Sequence, residues 1–244
     1  MGDAPDRPAF YALSPGGWRD YWTLLHPPYT LWHLSYVAIG AGLAPRVRTG
    51  WLVETLLAFL LAMGLAAHAL DELNGRPLRT RIPDLTLWVI AALGLAGAVG
   101  LGVHATIELS PWLWAFIAVG GFLVVAYNLE LFGGAFHSDA WFALGWGAFP
   151  VLTAYFAQTT TVRLEAVLAA AACAAISAAQ RVLSTPVRRL RREVEDVSGE
   201  LRLADGSAET LDAGALRAAP EGALRWLSLA MPAVAAALLV ARLA

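Results

Sequence analysis

The chain of 244 residues is 58% hydrophobic and 15% charged, with a mean hydropathy of +0.58 and a formal net charge of −2. A water-soluble domain carries about 25% charged residues, so this composition excludes one and points to a membrane protein, with no nucleic-acid partner expected. At about 20 residues per span there is room for one helical bundle of roughly six to nine spans and no second large domain.

All 17 basic residues are arginine, a bias that fits a GC-rich genome together with the heavy use of alanine. The single Cys173 lies in an alanine-rich run, so neither a disulfide nor a thiolate metal site is expected. The start, MGDAPDRPAFYALSPGG, has acidic residues and prolines where a signal peptide has a basic region and an apolar core. No segment reads as cleavable.

Seven apolar runs bounded by breakers follow, at 28–44, 51–70, 85–103, 112–127, 140–156, 164–183 and 224–241. The first and fifth carry Tyr29, His33, Tyr36, Pro150 and several glycines, which suit positions buried inside a bundle. The fold class expected is therefore an all-α polytopic bundle of about seven spans. Its segments are a cytoplasmic N-terminal stretch (1–20), the bundle (21–183), a basic and amphipathic cytoplasmic loop (184–219) and a final span (220–244). Within the loop, GELRLADGSAETL alternates apolar and polar residues around Asp205-Gly206 and predicts a small β-hairpin. Asp212 suits the cap of one short helix, and Pro220 with Glu221 the first turn of the last span.

Orientation follows from the arginines. With the N-terminus inside, only Arg46, Arg48, Arg163 and Arg242 fall outside, against thirteen on the other face. This positive-inside bias predicts a multi-pass protein of the cell (inner) membrane with a cytoplasmic N-terminus. The ten tryptophans sit mainly near span ends, as an aromatic belt requires.

In that topology the loops after the second, fourth and sixth spans emerge together, and they hold the chemistry: HALDELNGRPLRTR, YNLELFGGAFHSDAW and AAQRVLSTPVRRLRR. Helical spacing puts His68, Asp71 and Glu72 on one face. Carboxylates at a membrane boundary need a cation, an arginine or water. Asp71 and Glu72 either pair with Arg76 and Arg79 as a structural end to the helix, or they form the main acidic site with His68. Tyr127 and Asn128 stand at the mouth of the presumed cavity, where an amide could hold a metal, a phosphate or a frayed helix end. Gln180 and Arg181 lie where the sixth span leaves the bilayer. Arg188, Arg189, Arg191 and Arg192 read as an anchor on anionic headgroups, with substrate binding as the alternative, His26 and His33 as packing residues, and His104 has no role.

These stretches resemble the UbiA superfamily of intramembrane prenyltransferases over most of residues 20–183. LLHPPYTLWHLSYVAIGAGLA is similar to the family's opening span, HALDELNGRPL sits at its first Asp motif, and YNLELFGGAFHSDAWFALGWGAFPVLTAY resembles its fourth-to-fifth connection. The chain departs from the pattern where QRVLSTPVRR replaces the second Asp motif and where seven spans replace nine. The resemblance implies transfer or cyclisation of an isoprenoid from a prenyl diphosphate. It implies Mg²⁺ held by Asp71 and Glu72, and His68 beside them as a catalytic residue. Diphosphate departure needs its charge stabilised in a water-excluding site. Arg76, Arg79, Arg81 and Arg181 could supply part of that stabilisation, since guanidinium binds phosphate bidentately, and Tyr127, Asn128 and Gln180 complete the expected substrate contacts. Membrane lipids and an isoprenoid diphosphate are the expected partners. Two alternatives remain: a non-catalytic lipid- or partner-binding scaffold, and a metal-dependent redox or hydrolytic enzyme using His68, Asp71, Glu72, His137 and Asp139 as N/O ligands.

Overall fold

The computed structural model describes residues 7–243; the acidic Asp3 and Asp6 of the N-terminal segment lie outside the described residues. Eight helices follow in chain order: α1 (Trp18–Leu25), α2 (Pro27–Gly42), α3 (Thr49–Leu73), α4 (Asp84–Glu108), α5 (Leu113–Asn128), α6 (Asp139–Thr159), α7 (Leu164–Arg192) and α8 (Ala213–Leu243). A helix thus occupies each of the seven apolar runs. Five of them, α3, α4, α6, α7 and α8, are long and apolar enough to cross a membrane. The other two, α2 and α5, have 16 residues each, about 24 Å at helical rise, short of the roughly 30 Å of a hydrocarbon core.

Two apolar cores share α2 between them. Val37 and Ala41 pack with Phe59, Met63, Leu70, Leu87, Ala91 and Val124 of α3, α4 and α5. Trp32, Tyr36 and Ile39 pack with Val151, Ala170, Leu224, Met231 and Ala235 of α6, α7 and α8. Burial on both faces explains why α2 tolerates polar residues that lipid would not. Outside, Leu93, Ile107, Trp226, Leu229 and Val240 are exposed, an apolar exterior of the kind a lipid-facing bundle carries.

Small residues bring the helices close. A Cβ at Gly40 would land on the Val151 backbone, and one at Gly147 would lie 2.7 Å from the Cα of Ala174, so α6 is clamped against both α2 and α7. Two helices carry wide π turns, Leu60–Ala67 in α3 and Ala143–Ala148 in α6. The first ends immediately before His68, a placement common beside functional sites.

Segment boundaries after residue 183 differ from the sequence expectation. The helix α7 continues nine residues beyond Leu183 through Pro186 to Arg192, so the basic stretch is helical rather than loop. The short helix and final span are one 31-residue helix, α8, which runs through Pro220 and Pro232. Its start is where Asp212 was expected to act: Oδ1 accepts from the Ala215 amide at 2.7 Å. The hairpin is present, β1 (Gly199–Arg202) pairing antiparallel with β2 (Ala208–Leu211). Gly206 supplies a φ of 83° in its turn, and Asp205 Oδ1 accepts from the Ser207 amide and hydroxyl, holding that carboxyl below its usual range.

At the end of the bundle away from the cavity described below, arginines close helix C-termini as the dipole favours. Arg48 donates to Ala157 and Gln158 carbonyls at 2.6 Å each, and Arg242 to Gly42 O at 3.1 Å.

Candidate functional site

A cavity of about 610 Å³ opens where α3, α5 and α7 end and α6 begins, with residues 8–11 against it. Its wall gathers His68 and Asp71 from α3, Tyr127 and Asn128 from α5, and Gln180 and Arg181 from α7. Three separate loops identified in the sequence therefore meet at one site. Asn74 Nδ2 donates to Asn128 O at 3.3 Å and ties the ends of α3 and α5 together.

The adjacent carboxylates Asp71 and Glu72 part company. Asp71 faces the cavity, its charge opposed by Arg192 and Arg188. Glu72 is fully buried and turned the other way. Its Oε2 accepts from the Leu78 amide at 2.9 Å, and its Oε1 from the Thr80 amide at 2.9 Å and hydroxyl at 2.8 Å. Glu72 is thus the template of the loop NGRPLRTR, which corrects its assignment as a catalytic residue and metal ligand.

The same loop removes three arginines from the expected substrate contacts. Arg76 is paired with Asp84 and donates to Ile82 O at 2.6 Å. Arg79 donates to Arg192 O at 3.1 Å, and Arg81 is tied through its amide to Asp20 Oδ2 at 3.1 Å. None of the three lines the cavity. The Mg²⁺ site expected of Asp71 and Glu72 does not fit this arrangement, because backbone and hydroxyl donors take both oxygens of one of the pair. Among the described residues, no three His, Cys, Asp or Glu side chains are grouped so as to hold a metal ion. Of the wider N/O set, Asp139 is instead paired with Arg181 at 2.8 Å.

Other residues line the cavity in their place. Arg188, Arg189 and Arg192 join Arg181 on the cavity wall. Positions 181, 188 and 192 share one face of α7, so the basic run is directed inward as well as outward. His26, His33 and His137 line the cavity too. The rings of His26 and His68 lie 4.1 Å apart, and Tyr127 stacks on His137 at 4.4 Å. Burial first, then His68, pushes the His26 imidazole well below its ordinary pKa, and burial raises the Tyr11 phenol well above its own. A signal for α2 was available in the sequence: His26, Tyr29, His33 and Tyr36 recur at spacings of three, four and three, one polar stripe on a helix face. His104, by contrast, lies far from this site, bound to Glu54 Oε1 at 2.8 Å.

A narrower apolar cavity of about 120 Å³ adjoins the first. Phe59, Ala62, Leu95, Val99, Phe116 and Phe149 are among its walls, and Met63 and Trp146 line both cavities. A polar chamber and an apolar groove therefore meet at two side chains.

No family model, curated protein or solved structure matches this chain. The site is defined by its own geometry: arginines at one wall, histidines and tyrosines within, and an apolar exit beside Trp146.

Proposed function

We propose that this protein is an integral membrane enzyme that takes an amphiphile with a phosphate or diphosphate head and an isoprenoid-like tail, in the manner the UbiA resemblance implies. The observation that carries the reading is the junction of the two cavities. Arg181, Arg188, Arg189 and Arg192 line the polar chamber, and the apolar groove begins at Met63 and Trp146. A molecule with a charged head and an apolar tail matches both halves at once.

The arginines contribute in two ways. Their summed field draws an anion toward the chamber, an effect that weakens with salt. Guanidinium groups also hold phosphate oxygens bidentately, so they stabilise the charge that develops if a diphosphate departs. The aromatic and apolar side chains of the groove keep water from the carbon left behind. No step is assigned to a metal. The seven-helix bundle is oriented with the arginine-rich end, the N-terminus and the hairpin in the cytoplasm, on the positive-inside rule, which delivers a water-soluble head from that side of the inner membrane. A non-catalytic carrier of the same amphiphile is the second reading, favoured by Asp71 alone of the adjacent pair Asp71 and Glu72 lining the chamber.

The test is binding of geranylgeranyl diphosphate and of geranylgeraniol to the purified protein in detergent, with and without EDTA. The diphosphate should bind at least about tenfold more tightly, with EDTA making no difference, and Arg188→Ala should erase most of that margin. Equal binding of diphosphate and alcohol would sink the proposal. Release of pyrophosphate on incubation supports the enzyme; tight binding without release supports the carrier.

A further inference from the structure

Four histidines on the chamber wall share one detail. The Nδ1 of His26, His33, His68 and His137 lies 2.7, 3.1, 3.2 and 3.0 Å from the main-chain oxygens of Leu24, Trp146, Gly64 and Tyr127. A carbonyl oxygen only accepts, so each Nδ1 carries the proton. In the neutral ring this fixes the tautomer and leaves Nε2 as a lone-pair acceptor. Four imidazoles are thereby held in the same sense around one chamber.

At His33 the consequence is sharpest. The residue is 6% exposed, and its Nε2 is buried with no hydrogen-bond partner. The hydroxyl of Tyr127, a residue 5% exposed, is likewise buried and unpartnered. Both residues line the same chamber and both adjoin Trp146: His33 through the Nδ1 bond to its carbonyl, Tyr127 with ring centroids 4.4 Å apart. An orphaned buried polar atom is costly to leave unpaired, and two of them around one residue mark a place built for a partner. The neighbouring Tyr36 hydroxyl is already engaged elsewhere: its Oη accepts from Trp32 Nε1 at 2.7 Å and from Ser177 Oγ at 3.2 Å.

We infer that the chamber contains a second subsite, between His33 Nε2 and Tyr127 Oη beside Trp146, which binds an uncharged hydroxyl group. The chemistry follows from the donor and acceptor inventory. His33 Nε2 requires a donor, and Tyr127 offers an O–H to an oxygen. A hydroxyl satisfies both, giving its proton to the imidazole and accepting from the phenol. An ether or a hydrocarbon leaves His33 orphaned. A carboxylate or phosphate presents only acceptors to it. This subsite lies in the chamber of the proposed function but does not rest on the arginine wall.

The probe pair is 4-hexylphenol and 4-hexylanisole, identical but for methylation of the hydroxyl, added to the full chain in detergent with ¹⁵N-labelled histidine. The His33 Nε2 resonance, identified by its loss in His33→Phe, should move on binding the phenol and stay in place with the anisole. The phenol should bind about tenfold more tightly, and Tyr127→Phe should cut that preference several-fold without loss of the fold. Simultaneous binding with geranylgeranyl diphosphate assigns the hydroxyl to a second molecule, and mutual exclusion assigns it to the amphiphile itself; both support the subsite. Equal affinities for the two probes overturn it, as does an Nε2 signal unmoved at saturating phenol, the result expected of a firmly held water. Pyrophosphate binding, read on the same samples, reports on the arginine wall separately, and its absence alone leaves the subsite standing.

Discussion

Replacing Glu72 by alanine removes a carboxylate that accepts three hydrogen bonds while fully buried. Hydrogen bonds to a charged group contribute about 1.5–3 kcal/mol each, so a simple sum gives about 4.5–9 kcal/mol. The sum overshoots, because the three are not additive and the loop they hold is partly exposed at Asn74, Gly75 and Arg79. Once released, its amides reach water. A loss of about 2–4 kcal/mol is the expected outcome, equal to a fall in thermal midpoint of roughly 4–16 °C at this chain length. Glu72→Gln keeps the volume but sets an amide N–H against backbone donors, so it should recover little. The assay is thermal unfolding in detergent, with amide hydrogen exchange at Leu78 and Thr80 as a local readout. Both amides should exchange much faster in either variant. An unchanged midpoint with unchanged exchange would refute the template role and return Glu72 to the candidate ligands.

Asp71→Ala should do the reverse, leaving the midpoint within about 0.5 kcal/mol equivalent while changing anion affinity, since its side chain faces the chamber. Arg76→Ala should lower the midpoint through loss of the Asp84 pair and the Ile82 carbonyl bond, whereas Arg188→Ala should lower anion affinity instead; the opposite pattern in paired melting and binding assays would reverse the two roles. His26 is held neutral, with a folded pKa below its unfolded value near 6.5. Stability is therefore full above about pH 6.5 and falls as pH drops toward the folded value, by about 1.4 kcal/mol per pH unit for the one proton. Melting curves at pH 7.5 and 5.5 should show that slope flattened in His26→Phe.

The apolar runs were legible because lipid demands long hydrophobic stretches, and helices occupy all seven. The meeting of the α3, α5 and α7 ends was legible too, since alternating topology brings every second loop to one side. Glu72 was not. Its partners lie six and eight residues on, and the loop reaches them only through left-handed backbone at Gly75, Arg76 and Arg79, which no residue type in NGRPLR except glycine announces. The inward face of the arginines beyond Arg181 was hidden for a related reason. A basic run past the last apolar residue reads as an anchor, yet the helix continues without a break and its 3.6-residue period turns part of that run inward. His26 and His33 were read as packing residues from their place beside the proline pair, a reading that leaves out the stripe they form with Tyr29 and Tyr36.

The position of α2 between two cores sets the order in which this protein can be made. It is the earliest of the seven helices on the apolar runs to leave the ribosome, and its broadest contacts are with α6 and α8. Trp32, Tyr36 and Ile39 find Leu224, Met231 and Ala235 only after nearly two hundred further residues have been synthesised. Until then the His33 imidazole, whose Nδ1 bonds to Trp146 O, and the Tyr36 hydroxyl, which accepts from Ser177, must be sheltered by something other than those later partners, in a membrane that offers them no water. Such long sequence separation slows assembly. A chain cut short before Ala213 would retain most of its apolar helices and still leave one side of its central helix open, which makes the last helix, though it lines none of the chamber's arginine wall, the closing piece of the bundle.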